Sequence, residues 1–327
     1  MALPLFDLPL DELRAHRSET AAPDDLDRFW TEAIDEARAR SFEPRLEPYR
    51  GDAYRELEVA DVTFAGAGGD SVKAWYIRPA GSNSERLPCR VTFIGYGGGR
   101  DLAASHALYP ACGYATFVMD TRAQGGTWSA GDTPDPDGGS SGSEHPGVMT
   151  RGLADPRTYY YRRLYVDAVR AVETAAALPG VDADRIAVAG RSQGGALALA
   201  VAALVPQAVR LCHADVPFLC DIGRALDVAL EPPYTELVAY LAVHPELEAA
   251  ARHTLSHVDC AVLAPRITAR TFVGVGLRDP ITPPSTVFAA YNAIEAEKEI
   301  AVFSYSGHDL PTAHAEDQLA DFARELG

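Results

Sequence analysis

Residues 188–200 read "VAGRSQGGALALA". An apolar run stops at Gly190, one serine stands between glycines, and an Ala/Leu-rich helix former begins at once. A chain that turns sharply from strand into helix has no room for Cβ atoms beside the turn, and glycine supplies that room. The turn exposes the Ser192 hydroxyl near a helix N-terminus, where the first backbone N–H groups lack partners within the helix. Gly190-Arg191-Ser192-Gln193-Gly194 therefore spells G-x-S-x-G, the pattern of a nucleophile elbow. With 27 glycines in the chain the pentapeptide alone is only moderately specific. Its setting between strand and helix removes most chance readings.

Working outward, the apolar run belongs to a series of short ones: "CRVTFIG", "YATFVMD", "RIAVAG", "VRLCHAD", "RTFVGVG" and "IAVFSYSG". Helical patterns separate them, including "TYYYRRLYVDAVRAVETAAAL" and the segment after Ser192. Fully apolar strands alternating with helices predict an α/β fold with a mostly parallel central sheet covered on both faces. Before this series, "RELEVADVTFAG" and "DSVKAWYIRPAG" alternate apolar with polar residues around "AGGD", which predicts antiparallel edge strands. Residues 1–50 read as an N-terminal helical extension. Its amphipathic helix is capped by Asp24 or Asp25, with Phe29, Trp30 and Ile34 on one face. Residues 129–147 read as a polar surface loop, and residues 218–262 as a helical, cap-like insertion. No repeat or linker divides the chain, so residues 1–327 are expected to form a single domain.

In such a sheet, ligands bind beyond the carboxyl ends of the strands, where Ser192 falls. A serine hydroxyl needs a base to take its proton, and the base needs an orienting carboxylate. In this architecture they follow in the order Ser, acid, His, each just after a strand. Asp279 follows "RTFVGVG" and His308 follows "IAVFSYSG", which makes them the expected acid and base. Asp215 is the rival acid. His213 reads as a core histidine, His314 as a solvated residue on the last helix, and His253 with His257 as surface or core residues of the insertion. Acyl transfer also needs donors for the tetrahedral oxyanion. The backbone N–H of Gln193 is one. The glycine-rich "FIGYGGGR" offers that of Tyr96 as the second, and lacks the spacing of a phosphate-cradling loop.

The formal charge of −17 argues against a nucleic-acid partner, since phosphate backbones call for a basic footprint. No stretch suits a secretory signal or a membrane span. Five scattered cysteines without a CxxC predict reduced, buried thiols in a cytoplasmic protein, and nine histidines without ligand spacing predict no metal site.

With these residues placed, the chain resembles the acetyl xylan esterase / cephalosporin C deacetylase family (carbohydrate esterase family seven), of the α/β-hydrolase superfamily. The resemblance rests on "DDLDRFW", "GYGGGR", "DTRAQGGTW", "GRSQGG", "DVPFLCD", "GLRDPITPPSTVFAAYN" and "GHD". It implies catalytic roles for Ser192, Asp279 and His308, oxyanion amides from Tyr96 and Gln193, and structural support from Arg122 and Gln124. It also implies hydrolysis of small acetyl esters of carbohydrates and of the cephalosporin side chain, no cofactor, and a ring-like homo-hexamer. Two positions depart from the family pattern. Ala123 stands where the Arg-Gly-Gln motif has glycine, which could change the backbone there, and Asp309 replaces glutamate. The alternatives are a hydrolase of this fold acting on peptides or lactones, or a non-catalytic binding protein on the same scaffold.

Overall fold

A computed structural model describes residues 5–82, 86–145 and 147–327. Residues 1–4 of the N-terminal extension and Pro146 of the polar loop lie outside that set. Among the described residues nine strands form one sheet: β1 (Arg45–Pro48), β2 (Leu57–Ala65), β3 (Ser71–Pro79), β4 (Leu87–Phe93), β5 (Ala115–Met119), β6 (Val181–Arg191), β7 (Leu211–Asp215), β8 (Arg270–Gly276) and β9 (Lys298–Phe303). Their spatial order is β1-β2-β3-β5-β4-β6-β7-β8-β9. The pairs β4–β5, β4–β6, β6–β7, β7–β8 and β8–β9 are parallel, and the pairs among β1, β2, β3 and β5 are antiparallel. This is the mostly parallel α/β sheet that the alternating apolar runs predict, and that the family resemblance also implies. Strand β1, which the sequence reading assigned to a purely helical extension, extends the antiparallel edge with four exposed residues. Four residues that bury no side chain carry too little hydrophobic pattern to announce themselves.

Consecutive residues of the central strands feed different cores. Val188 and Cys212 join the larger one, under the helices Tyr160–Ala177 and Gln193–Leu204, whereas Ala187 and Leu211 pack with Phe322 of the last helix, Ala313–Leu326. Period-two side chains from a sheet covered on both faces demand this partition. The helix after Ser192 buries every residue from Gln193 to Ala203, which explains its small, apolar composition all round.

The helix Leu26–Ala39 buries Phe29, Trp30 and Ile34, as its periodicity predicts. Asp25 occupies its N-cap position, but its carboxylate accepts from His257 at 3.0 Å instead of capping the helix. The polar loop is anchored rather than wholly superficial. Thr133 and Asp135 are fully buried, bonded respectively to Asp120 and to Arg122 and Arg163. All five cysteines are free; four are buried and Cys112 is exposed. No helix among the described residues is long and apolar enough to cross a membrane.

Candidate active site

Sheet topology brings the site residues together. β4 lies between β5 and β6, so successive connections leave it in opposite directions, and a crevice opens at such a switch point. The pairing of Phe93 with Gly190 sets the turn after β4, containing Tyr96, beside the turn after β6, containing Ser192.

At the elbow, Ser192 has φ 58° and ψ −120°, a left-handed backbone that a non-glycine residue adopts at a cost of about 1–3 kcal/mol. Neighbouring backbone holds it there. The Ser192 N–H donates to the Asp215 carbonyl at 2.9 Å, and its carbonyl accepts from Phe218 and Ala196 at 3.0 Å each. The flanking glycines are steric necessities. A Cβ on Gly190 would lie 2.3 Å from the Gly194 carbonyl carbon, and one on Gly194 would lie 2.3 Å from the Phe93 carbonyl oxygen.

Asp279 and His308 arrive on loops that prolong β8 and β9. Leu277 and Arg278 donate to Phe303 and Ser306, and a Cβ on Gly276 would collide with the Gly307 carbonyl at 2.1 Å. The acid and base loops can therefore close on each other only over a glycine. Asp279 is fully buried. It accepts the N–H groups of Ile281 and Thr282 at 2.9 and 3.1 Å, the Thr282 hydroxyl at 2.7 Å, and Nδ1 of His308 at 2.7 Å. A carboxylate can only accept, so Nδ1 carries the proton and Nε2 is left as the basic nitrogen.

Ser192 and His308 line one cavity of about 360 Å³ together with Tyr96, Trp128, Pro233 and Ile281. Its wall is mainly apolar. The rival acid is engaged elsewhere: Asp215 accepts from His314 at 2.9 Å and Gln318 at 3.0 Å. His314 is buried, not solvated, packed against the rings of Phe272 and Phe303. That burial is not revealed by helical periodicity alone. His213 is a core histidine paired with Asp321 at 3.0 Å. In the insertion, His257 is buried and His253 exposed.

The side chains of Gln124 and Arg122 act beneath the site. The Gln124 carboxamide accepts the Gly97 N–H at 2.7 Å and donates to the Gln193 side chain at 2.9 Å, joining the loops that carry the two candidate oxyanion amides. Arg122 is fully buried, bidentate to Asp167 at 2.5 and 2.7 Å, and bonded to Asp135 at 2.9 Å. Burial works against its charge, but the two carboxylates outweigh that and raise its pKa, so it stays cationic. Ala123 between them has φ 57°. The left-handed turn persists despite the Cβ, at a backbone cost of about 1–2 kcal/mol. Asp309 is exposed and pairs with Arg191, whose guanidinium also bonds the His308 carbonyl. That hydrogen bond holds its carboxyl below the usual range.

The sequence reading passed over Thr282, Trp128 and Glu236. Thr282, three residues after the acid in "RDPIT", fits a side-chain-to-backbone turn; the other two carry no local signal. Trp128 hangs over the loop after β4, its indole N–H donating to the Tyr96 carbonyl at 2.8 Å. Glu236 reaches Tyr96 from the insertion.

Known proteins resemble the chain over nearly its whole length. The chain spans 64% of the length of a curated relative, the acetyl esterase Axe7A of Xylanibacter ruminicola, to which it is 28% identical over 88% of its own residues. It superposes on an acetyl xylan esterase from Paenibacillus sp. R4 with TM-score 0.90 and 33% identity, covering 98% of this chain and 100% of that one. For acetyl xylan esterase 1 of Thermoanaerobacterium sp. JW/SL YS485 the values are 0.88 and 32%, with the same coverage. Residues 3–326 match the family model described as acetyl xylan esterase (AXE1), and the chain belongs to that family.

Proposed function

We propose that this protein is a serine carboxylesterase that removes acetyl groups from small acetylated carbohydrates and related acetyl esters through an acetyl-enzyme. His308 takes the Ser192 proton as the oxygen attacks the acetyl carbonyl, and Asp279 stabilises the imidazolium. The Tyr96 and Gln193 amides hold the oxyanion. Collapse expels the alcohol, which takes the proton back from His308, and water then releases acetate by the same steps in reverse order. The observation that carries this reading is the meeting, in one cavity, of a strained serine at a helix N-terminus and a histidine bonded to a buried aspartate.

The test is Ser192→Ala. Its kcat on p-nitrophenyl acetate is expected to fall by at least about 10³-fold while the fold is retained. Near-normal turnover would remove the nucleophile and the reading with it. Rates on acetyl, butyryl and peptide substrates separate this from a peptidase or lactone hydrolase. Acetylated xylo-oligosaccharides compared with cephalosporin C define the substrate class. A hexamer and a cytoplasmic location rest on the family resemblance and on the free cysteines. Light scattering at working concentration tests the assembly.

A further inference from the structure

The helical insertion reaches the candidate oxyanion loop through one side chain. The Tyr96 hydroxyl lies 3.1 and 3.0 Å from the two carboxylate oxygens of Glu236, and accepts the Gly147 N–H at 2.9 Å. Glu236 stands in the first turn of the helix Tyr234–Val243, where a negative charge is favoured, and is half-buried. The peptide joining Tyr96 to Gly97 is already fixed at both polar ends. Its carbonyl accepts from Trp128 and its N–H donates to Gln124. The peptide that carries the Tyr96 N–H is held at its own carbonyl, that of Gly95, by the Gly98 N–H at 3.1 Å. The Tyr96 Cα joins these two planes, and anchoring the far end of its ring adds a further hold on the orientation of the N–H.

We propose that Glu236 is a positioning residue: by holding the Tyr96 hydroxyl it aims the Tyr96 N–H at the oxyanion, so that the insertion belongs to the catalytic geometry and is more than a wall of the pocket. The proposal rests on the esterase reading above. Small misplacements of a reacting or stabilising group are costly, and losing a whole oxyanion donor costs about 10²–10³ in kcat.

Glu236→Ala is expected to lower kcat on p-nitrophenyl acetate about tenfold, with KM changed by less than about twofold. Glu236→Gln keeps an oxygen that accepts the same O–H, and is expected to restore most of the rate. Tyr96→Phe, which removes only the hydroxyl, should reproduce the alanine loss, and the double variant should be no slower than either single one. Fluorophosphonate labelling of Ser192 and thermal unfolding check that each variant is folded; if Glu236→Ala is not, Tyr96→Phe and Glu236→Gln decide the matter. Unchanged kcat in Tyr96→Phe, losses that multiply in the double variant, or a loss confined to KM would each overturn the proposal. Normal rates in these variants beside an inactive Ser192→Ala would overturn it alone, whereas an active Ser192→Ala would overturn the esterase reading beneath it.

Discussion

Two histidine–aspartate pairs stand at the carboxyl end of the sheet, their histidines six residues apart, and only one of them is poised for chemistry. His308 bonds Asp279 through Nδ1 at 2.7 Å, and its ring lines the cavity that also holds Ser192. His314 bonds Asp215 through Nε2 at 2.9 Å, and its remaining nitrogen, Nδ1, has no hydrogen-bond partner among the described residues. In the first pair the carboxylate takes the nitrogen nearer the backbone and leaves the outer one, on a ring that lines the cavity, unspent by Asp279. In the second it takes the outer one, and the ring is sealed between Phe272 and Phe303. Composition and distance hardly distinguish the two. What separates them is which nitrogen is spent and where the ring lies.

Substitutions should separate them more sharply. His308→Ala is expected to lower kcat on acetate esters by at least about 10³-fold, whereas His314→Ala leaves it within about threefold. Equal losses would mean the pairs share the chemistry. Asp279→Asn should be about tenfold milder than loss of the histidine itself, because the base survives with its tautomer poorly held. Steady-state rates of the two variants on the same acetate ester check this.

The buried pair should register in stability instead. Removing His314 breaks a charge-assisted hydrogen bond and should cost about 2 kcal/mol in denaturant unfolding. The smallest effect is its pH dependence. Burial opposes charge on His314, but the hydrogen bond and charge of Asp215, with Asp317 adding to them, raise its pKa. A raised histidine favours the protonated fold. Its contribution is complete below the free imidazole value of about 6.5 and is lost as pH climbs through the folded value. The stability gap between wild type and His314→Gln should therefore narrow as pH rises from about 6.5 through the folded value. A gap that widens over that range would mean the ring is neutral in the fold.

The same contrast marks where sequence reasoning stopped. It picked out Ser192, Asp279 and His308 because each follows an apolar run. Strand ends are visible in hydrophobic period, and the chain order of such residues is dictated by topology. It put His314 in solvent because "AHAEDQLADFAREL" reads as an amphipathic helix with polar neighbours. Which of its polar residues turn toward the sheet depends on how the helix docks. Strand β1 escaped because it buries nothing. The left-handed Ala123 escaped because a Cβ argues against the conformation that its neighbours enforce.

By itself, the sequence determined the alternation of strands and helices, the steric need for Gly190 and Gly194 around Ser192, and the candidate acid and base, since all of these follow from local periodicity and local crowding. Only the tertiary structure decided which carboxylate meets which imidazole, that Gln124 ties together the two loops carrying Tyr96 and Gln193, and that Glu236 reaches Tyr96 from 140 residues away along the chain. Hydrogen bonds between segments so far apart carry no local signature: they exist only once the sheet order has brought the strand ends to one rim.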